Sequence, residues 1–457
     1  MGGMTVRPAT THALLGPEFF DVVEAASFPA PMLRHRDQRW AARIGLEGLS
    51  DAGWVDHMGR FVPIAGSMPA PLALRYHGHQ FRNYNPDLGD GRGFLFAQVY
   101  DLVDGRLLDL GTKGSGRTPW SRGGDGRLTL KGGVREVLAT SMLEALGVYT
   151  SKSLSLVETG EALERGDEPS PTRGAVLVRL SHSHIRIGSF QRLAALKQPA
   201  LVLRLLDHVI RFYMPEVWDE DVAVRTAGFF REVVARVARV GAQWMAAGFV
   251  HGVLNTDNIN VTGESFDYGP WRFLPRYEAE FTAAYFDHSG LYAYGRQPDT
   301  LLWNLVRLAE CLLPFAPRDA LQAGIEGFGD VFLPALDGAV VRRLGLVPGG
   351  AAQDRALATA WWTWLDTTKV PFEQAFFDVR AGRVPGDAAF GAVRDVLDAY
   401  GRVPGGDAYF AGEAPCTMLI EEVEALWAPI AERDDWGPFR AKLGEIEAMR
   451  VAYAGAG

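Results

Sequence analysis

The stretch His251-Gly-Val-Leu-Asn-Thr-Asp-Asn-Ile-Asn-Val261, with Asp267-Tyr-Gly269 shortly after it, decides how this chain is read. Asn258 and Asp267 put two hard oxygen donors on neighbouring loop segments, the ligand type Mg²⁺ takes when it also bridges phosphates. Read alone, the stretch is a polar turn followed by a chance Asp-aromatic-Gly. Its setting argues for more. Residues 224–249 carry apolar side chains at helical spacing over a length suited to a central helix, and short strands are expected within 250–275.

The spacing matches the kinase catalytic segment His-Arg-Asp-Leu-x-x-x-Asn with a later Asp-Phe-Gly. Setting His251 on that His puts Leu254 on the Leu and Asn258 on the Asn. It also puts Val253, which cannot accept a proton, on the catalytic Asp. A kinase fold further needs a strand lysine for the phosphates and a helix glutamate to hold it. Residues 94–113 read as a hairpin about the Asp104-Gly105 turn, and Lys113 ends its second strand. Val134, Val137, Leu138, Met142, Ala145 and Leu146 then set a helix with Glu136 in its first turn and Gly147 closing it. Residues 153–157 and 174–180 read as two more strands. Taken singly, Lys113 and Glu136 are solvated surface residues. The order strand Lys, helix Glu, two strands, helices, His…Asn…Asp makes them a pair.

Residues 199–214, 299–316, 352–366 and 417–450 also show helical spacing. The expected fold class is α+β, a protein-kinase-like (pseudokinase) two-lobed fold with a helical C-terminal extension. Its expected parts are an N-terminal extension over 1–75, a β-rich nucleotide-binding lobe over 76–190, a mostly helical lobe with the metal site over 191–384, and the helical extension over 385–457.

Three glycine clusters surround the lysine: Gly89-Asp-Gly91-Arg92-Gly93, Gly114-Ser-Gly116 and Gly123-Gly124-Asp125-Gly126-Arg127. Backbone N–H groups in such turns can cradle phosphates, and a nearby Arg adds bidentate charge. None is a Walker A sequence, and the first cluster lies before the first hairpin strand, where no kinase glycine-rich loop belongs. Each also reads as an ordinary turn. Arg179 and Arg186 flank a strand end and either converge on one anion or form surface salt bridges. The pairs His77/His79 and His182/His184 read as structural histidines rather than zinc ligands, having no further Cys or His nearby in sequence. Trp361, Trp362 and Trp364 read as core.

The chain has 457 residues, about three times a typical domain, with 47% hydrophobic and 22% charged residues. Wholesale disorder and coiled coil are excluded by that balance. A formal charge of −9 argues against a general binder of nucleic acid or anionic membranes. Cys311 and Cys416 cannot build a disulfide framework, and no apolar run approaches a membrane span, so a cytoplasmic setting is expected. Glycine, at 52 residues, stands above the ~7% average.

Longer strings carry a resemblance. Leu88-Gly-Asp-Gly-Arg92, Lys113-Gly-Ser-Gly-x-Thr-Pro-Trp-Ser-Arg122, Gly124-Asp-Gly-Arg127, Val134-Arg-Glu136, Ser183-His-Ile-Arg186, His251 to Asn258, Asp267-Tyr-Gly-Pro270, and Tyr292-Ala-Tyr-Gly-Arg-Gln-Pro298 with Trp303-Asn-Leu305 resemble the selenoprotein O / YdiU family of kinase-like protein adenylyltransferases. They cover about residues 76–315; residues 330–380 match more loosely and little is similar after about 385. The resemblance implies a pseudokinase that binds ATP inverted and transfers AMP to Ser, Thr or Tyr hydroxyls of proteins. It implies that Lys113, Arg179 and Arg186 hold the terminal phosphates and that Glu136 anchors Lys113. Gly89, Gly91, Arg92, Asp125 and Gly126 would line the nucleotide pocket. Asn258 and Asp267 would hold Mg²⁺ or Mn²⁺, with Asp267 also in the ATP site, and Asp257 would accept the proton. UMP transfer from UTP, or a catalytically silent nucleotide-binding scaffold, are the alternatives. Family members commonly end in a redox-active selenocysteine or cysteine motif, which Val451-Ala-Tyr-Ala-Gly-Ala-Gly457 does not match.

Overall fold

A computed structural model describes residues 5–166, 168–405 and 407–454 of the chain. The hairpin expected over 94–113 is present as Leu95–Tyr100 and Leu107–Lys113. Its strands lie inside a sheet because both of their faces are apolar. Leu95, Phe96, Val99, Leu107, Leu108 and Leu110 are all buried, each such side chain contributing ~1.5–3 kcal/mol. The nine-stranded sheet runs Phe20–Val22, Leu72–Leu74, Leu95–Tyr100, Leu107–Lys113, Thr172–Ser181, Lys152–Leu163 and Met32–Arg36, with Pro8–Ala9 and Leu128–Thr129 paired beside that path. Strands from before residue 76 thus belong to the same sheet as the hairpin. The strands expected over 153–157 and 174–180 are the centres of longer ones, which shortens the polar loop between them.

Register sets the chemistry of this sheet. Leu177 lies opposite Lys113 and Arg179 opposite Gly111. Side chains two residues apart share a face, so Lys113 and Arg179 are diagonal neighbours on one face. A Cβ at Gly111 would stand 2.1 Å from His184 Nε2, so only glycine fits beneath that pair.

The helix Leu130–Ala145 starts at Thr129, whose hydroxyl accepts the Gly132 N–H at 3.1 Å. It buries Val134, Val137, Leu138, Met142 and Leu143. Gly133 permits close approach to the sheet, since a Cβ there would lie 2.4 Å from Leu156 Cδ1. That approach brings Glu136 over Lys113.

The long helix Val222–Ala247 is capped by Asp221, which accepts the Ala223 and Val224 N–H groups at 2.7 and 3.1 Å. It ends at Gly248 in the left-handed region, φ 63°, with Phe372 2.6 Å from where a Cβ would stand. The reversal leads into Phe249–Val250, which pairs antiparallel with Arg272–Phe273. The loops carrying Asn258 and Asp267 leave and re-enter this two-stranded pair and so lie side by side.

Helices Arg318–Glu326, Phe328–Arg343 and Phe372–Arg380 lie outside the segments singled out by periodicity. Gly329, Pro334 and Gly338 weaken the helical signal of the second; burial of Phe328, Phe332, Val340 and Val341 overrides it. The segment 417–450 resolves into Ile420–Arg433 and Gly437–Ala454, broken at Asp434 with φ 52°. The last helix packs along Leu130–Ala145. Lys131 pairs with Glu424 at 2.7 Å, and Asp434 with Arg173 at 2.6 Å and Arg34 at 3.1 Å. A sheet lobe with one long helix, followed by a helical lobe, is the expected α+β architecture, with its elements in the order the sequence implied. Among the described residues no helix is long and apolar enough to cross a membrane.

Candidate active site

The sheet face and the loop after Phe249–Val250 meet at Asp267. Lys113 Nζ lies 2.5 Å from Glu136 Oε1 and 2.9 Å from Asp267 Oδ1. Arg179 Nη1 reaches the same Asp267 oxygen at 3.3 Å. Burial alone would raise the Asp267 carboxyl, but Lys113 and Arg179 outweigh it and hold the group well below the usual carboxylate range. Asp267 adopts φ 64°, a conformation Asp tolerates better than most residues. His251 is buried, and its Nε2 donates to the Phe266 carbonyl at 2.9 Å, so it ties the Asn258 loop to the Asp267 loop.

Asp257 and Asn258 sit on a single 3₁₀ turn, Thr256–Asn258, which is braced from both sides. Thr256 Oγ1 accepts the His79 N–H at 2.7 Å. Asn255 Oδ1 accepts the Phe81 N–H at 3.1 Å and the Tyr292 hydroxyl at 2.6 Å. Asn258 Nδ2 donates to the Val253 carbonyl at 3.0 Å, which fixes the amide and leaves its Oδ1 for a ligand. Asp257 is 8% exposed, and among the described residues its Oδ1 has no hydrogen-bond partner. Burial, set against the nearby Arg186 guanidinium, pushes its carboxyl up to about 6.

A cavity of about 470 Å³ joins these parts. Gly89, Gly91, Arg92, Asp125 and Gly126 line it together with Asp257, Asn258 and Asp267. Lys113 and Arg179 reach that wall through Asp267, Glu136 reaches it through Lys113, and Arg186 through the Asp257 carbonyl at 3.3 Å. Close packing requires glycine in the first and third clusters. A Cβ on Gly89 would stand 2.3 Å from Trp120 Cγ, and one on Gly126 would stand 2.2 Å from the Gly116 carbonyl oxygen. Ser121 Oγ donates to the Gly91 carbonyl and Thr118 Oγ1 to the Asp90 carbonyl, each at 2.5 Å. Asp125 accepts from the Arg127 N–H at 2.9 Å and from Arg165 at 2.8 Å, contacts that outweigh burial and lower its carboxyl.

Among the described residues no group of three or more His, Cys, Asp or Glu gathers as a metal site. Asn258 and Asp267 instead offer two oxygen donors at the cavity wall. That set fits Mg²⁺ or Mn²⁺, which keeps few protein ligands and takes the rest from phosphates and water. His77 packs on Tyr84, His79 meets Gln191, His182 meets Tyr149, and His184 lies 3.5 Å from Asp109. Trp361 and Trp364 are core, as their spacing implied.

Sequence reasoning gave no role to Asp90, Tyr76, Trp120 or Asn255, all of which the structure brings to this site. Asp90 and Trp120 lie inside the strings quoted above; their neighbours, not their own types, were the signal. Tyr76 carries no local signal, because its partner Arg186 is far along the chain.

A family model described as "Protein adenylyltransferase SelO" matches residues 4–388. Relatives called "Protein nucleotidyltransferase YdiU" align along most of the chain. The Synechocystis sp. protein is 44% identical over 97% of this chain and 98% of its own length. The Gloeobacter violaceus protein is 45% identical over 97% and 94%. That of Synechococcus elongatus is 54% identical over 75% and 68%. Among solved structures, ROP2 from Toxoplasma gondii, titled a virulence factor with a protein-kinase fold and no enzymatic activity, overlaps 80% of this chain and 92% of its own at 10% identity and a TM-score of 0.26, a likeness too slight to carry weight.

Proposed function

The chain belongs to the SelO/YdiU family of protein nucleotidyltransferases, and from that premise we propose that it transfers AMP from ATP to Ser, Thr or Tyr hydroxyls of proteins. The observation that carries this reading is the pairing of Val253 with Asp257. The kinase base position holds a side chain that takes no proton, while four residues on, a buried carboxylate with an unpartnered oxygen lines the cavity.

In the proposed reaction a substrate hydroxyl oxygen attacks the α-phosphorus, its proton passes to the Asp257 carboxylate, and the bond to pyrophosphate breaks. A carboxyl pushed up to about 6 is well matched to that transfer near neutral pH. Lys113, Arg179 and Arg186 would hold the phosphates that leave, which is where cationic stabilisation has most effect. Glu136 keeps Lys113 extended into the site at 2.5 Å. Asn258 and Asp267 would hold Mg²⁺ or Mn²⁺, which when bound neutralises phosphate charge. The packed glycine loops, with Arg92 and Asp125, would receive the nucleotide.

Incubation with ATP labelled at the α or the γ position, with UTP as a parallel donor, tests the reading. Protein label is expected from α-labelled ATP alone, and the Asp267→Ala variant should lose it. Label arriving only from the γ position points to a kinase, only from UTP to a UMP transferase, and binding without transfer to a silent scaffold.

A further inference from the structure

The site's three buried cations differ in what neutralises them. Lys113 has Glu136 and Asp267, and Arg179 has Asp267. Arg186 touches neither. Its guanidinium lies over the rings of Tyr76 at 4.1 Å and Phe266 at 5.1 Å. Its Nη1 donates to the Asp257 backbone carbonyl at 3.3 Å and its Nε to the His184 carbonyl at 3.4 Å. Its one carboxylate partner among the described residues is Asp90, with Nη2 3.5 Å from Oδ1.

Asp90 is itself firmly held. Its Oδ2 accepts the Leu74 N–H at 3.0 Å, its own N–H donates to the Leu74 carbonyl at 3.0 Å, and its carbonyl accepts the Thr118 hydroxyl at 2.5 Å. Strand Leu72–Leu74 therefore fixes this carboxylate, and Thr118, just after the second glycine cluster, fixes the backbone that carries it. An enclosed guanidinium without an anion is costly, and ring faces and carbonyls offset only part of that cost. At 3.5 Å the pair is loose rather than bidentate, so Arg186 keeps donors free for a second anion.

We infer that Asp90 is the positioning residue of Arg186, an assignment that rests on the nucleotide-transfer reading of this site. Asp90 presets the guanidinium before nucleotide arrives and, through it, links the glycine loop of the sheet lobe to the backbone of the Asp257 turn. Removing the Asp90 charge has two opposed effects on nucleotide affinity: less repulsion of phosphate, and a less well placed Arg186. Turnover suffers only the second, because a displaced Arg186 also releases the Asp257 carbonyl.

The test uses the full-length Asp90→Asn variant, which keeps side-chain volume and an acceptor for the Leu74 N–H. ATP affinity by calorimetry should change by less than about threefold, while kcat for AMP transfer falls about tenfold or more. In an Arg186→Gln background the same substitution should alter kcat by less than about twofold. Asp90→Glu, which retains charge, should recover part of the loss. Equal loss of kcat in both Arg186 backgrounds, or weakened ATP binding with unchanged kcat, overturns the inference. If the wild-type protein transfers no AMP, the functional reading fails by itself. A crystal structure of the Asp90→Asn variant then still decides the positioning role: a guanidinium displaced from Tyr76 and Phe266 supports it, and an unmoved one overturns it.

Discussion

Replacing Glu136 probes the contact on which the site depends most directly. Glu136 Oε1 takes the Lys113 ammonium at 2.5 Å, and its buried Oε2 has no hydrogen-bond partner among the described residues. In Glu136→Gln an amide oxygen can still accept from the Lys113 ammonium, but the acceptor's own charge is gone and the ion pair becomes a single-charge hydrogen bond. Keeping the acceptor but losing its charge should cost less than breaking the buried pair outright, on the order of 1–2 kcal/mol. Glu136→Ala also leaves Lys113 with Asp267 as its one carboxylate among the described residues. Breaking a buried pair costs about 3–5 kcal/mol, and the surviving Asp267 contact at 2.9 Å keeps the value near the lower end. Denaturant unfolding should therefore rank wild type above Gln above Ala. Transfer from α-labelled ATP should fall by about fivefold to thirtyfold for Gln, the same energy expressed as a rate, and further for Ala. An Ala variant as stable as wild type would refute the claim that this pair is a buried, interacting one. Unchanged transfer in a variant that unfolds as expected would refute the role given to Lys113 while leaving the packing argument intact.

Gly89→Ala should weaken ATP binding by about tenfold, because the new Cβ would lie 2.3 Å from Trp120 Cγ and the loop must move away from the cavity; calorimetric affinity equal to wild type counts against that packing. Burial pushes the Glu264 carboxyl up to about 7 from its ordinary 4.5, although Lys152 and the His182 N–H oppose the shift. The folded state thus holds this proton more tightly than the unfolded one. The associated stability is complete below about pH 4.5 and is lost as pH rises through about 7, an effect on the order of 3 kcal/mol. Glu264→Gln should accordingly gain on wild type between pH 5 and pH 8 in urea unfolding, and parallel pH profiles would contradict the burial argument. Asp434 joins the two last helices at φ 52° while pairing with Arg34 and Arg173. Asp434→Ala should lose about 1 kcal/mol more than Asp434→Asn, which tolerates that backbone; equal thermal midpoints for the two variants would remove the conformational part of the explanation.

Much of this protein was legible in short stretches. Lys113 at a strand end, Glu136 on the next helix, and Asn258 and Asp267 after a long helix all follow from local periodicity and spacing, although that helix starts at Leu130 and puts Glu136 in its second turn rather than its first. Local pattern suffices there because strand and helix periods are set by the backbone itself. The family-like strings likewise pointed to the glycine clusters, Asp125, Asp257 and the two arginines before any geometry was known. Their assembly was not legible. Lys113 and Asp267 are 154 residues apart and meet at 2.9 Å only because the sheet lobe and the Phe249–Val250 pair pack together. The same packing puts Arg179 on the Lys113 face through the register at Gly111 and sets Asp90 against Arg186. Helix Phe328–Arg343 forms despite its glycines and proline because burial outweighs propensity. The amino-acid sequence by itself determined which chemical groups the site has and the order in which the fold presents them, since those depend on interactions within one strand, helix or turn. Which carboxylate neutralises which cation, and why each glycine must be one, only the tertiary structure decided, since those depend on long-range contacts made as the core closes.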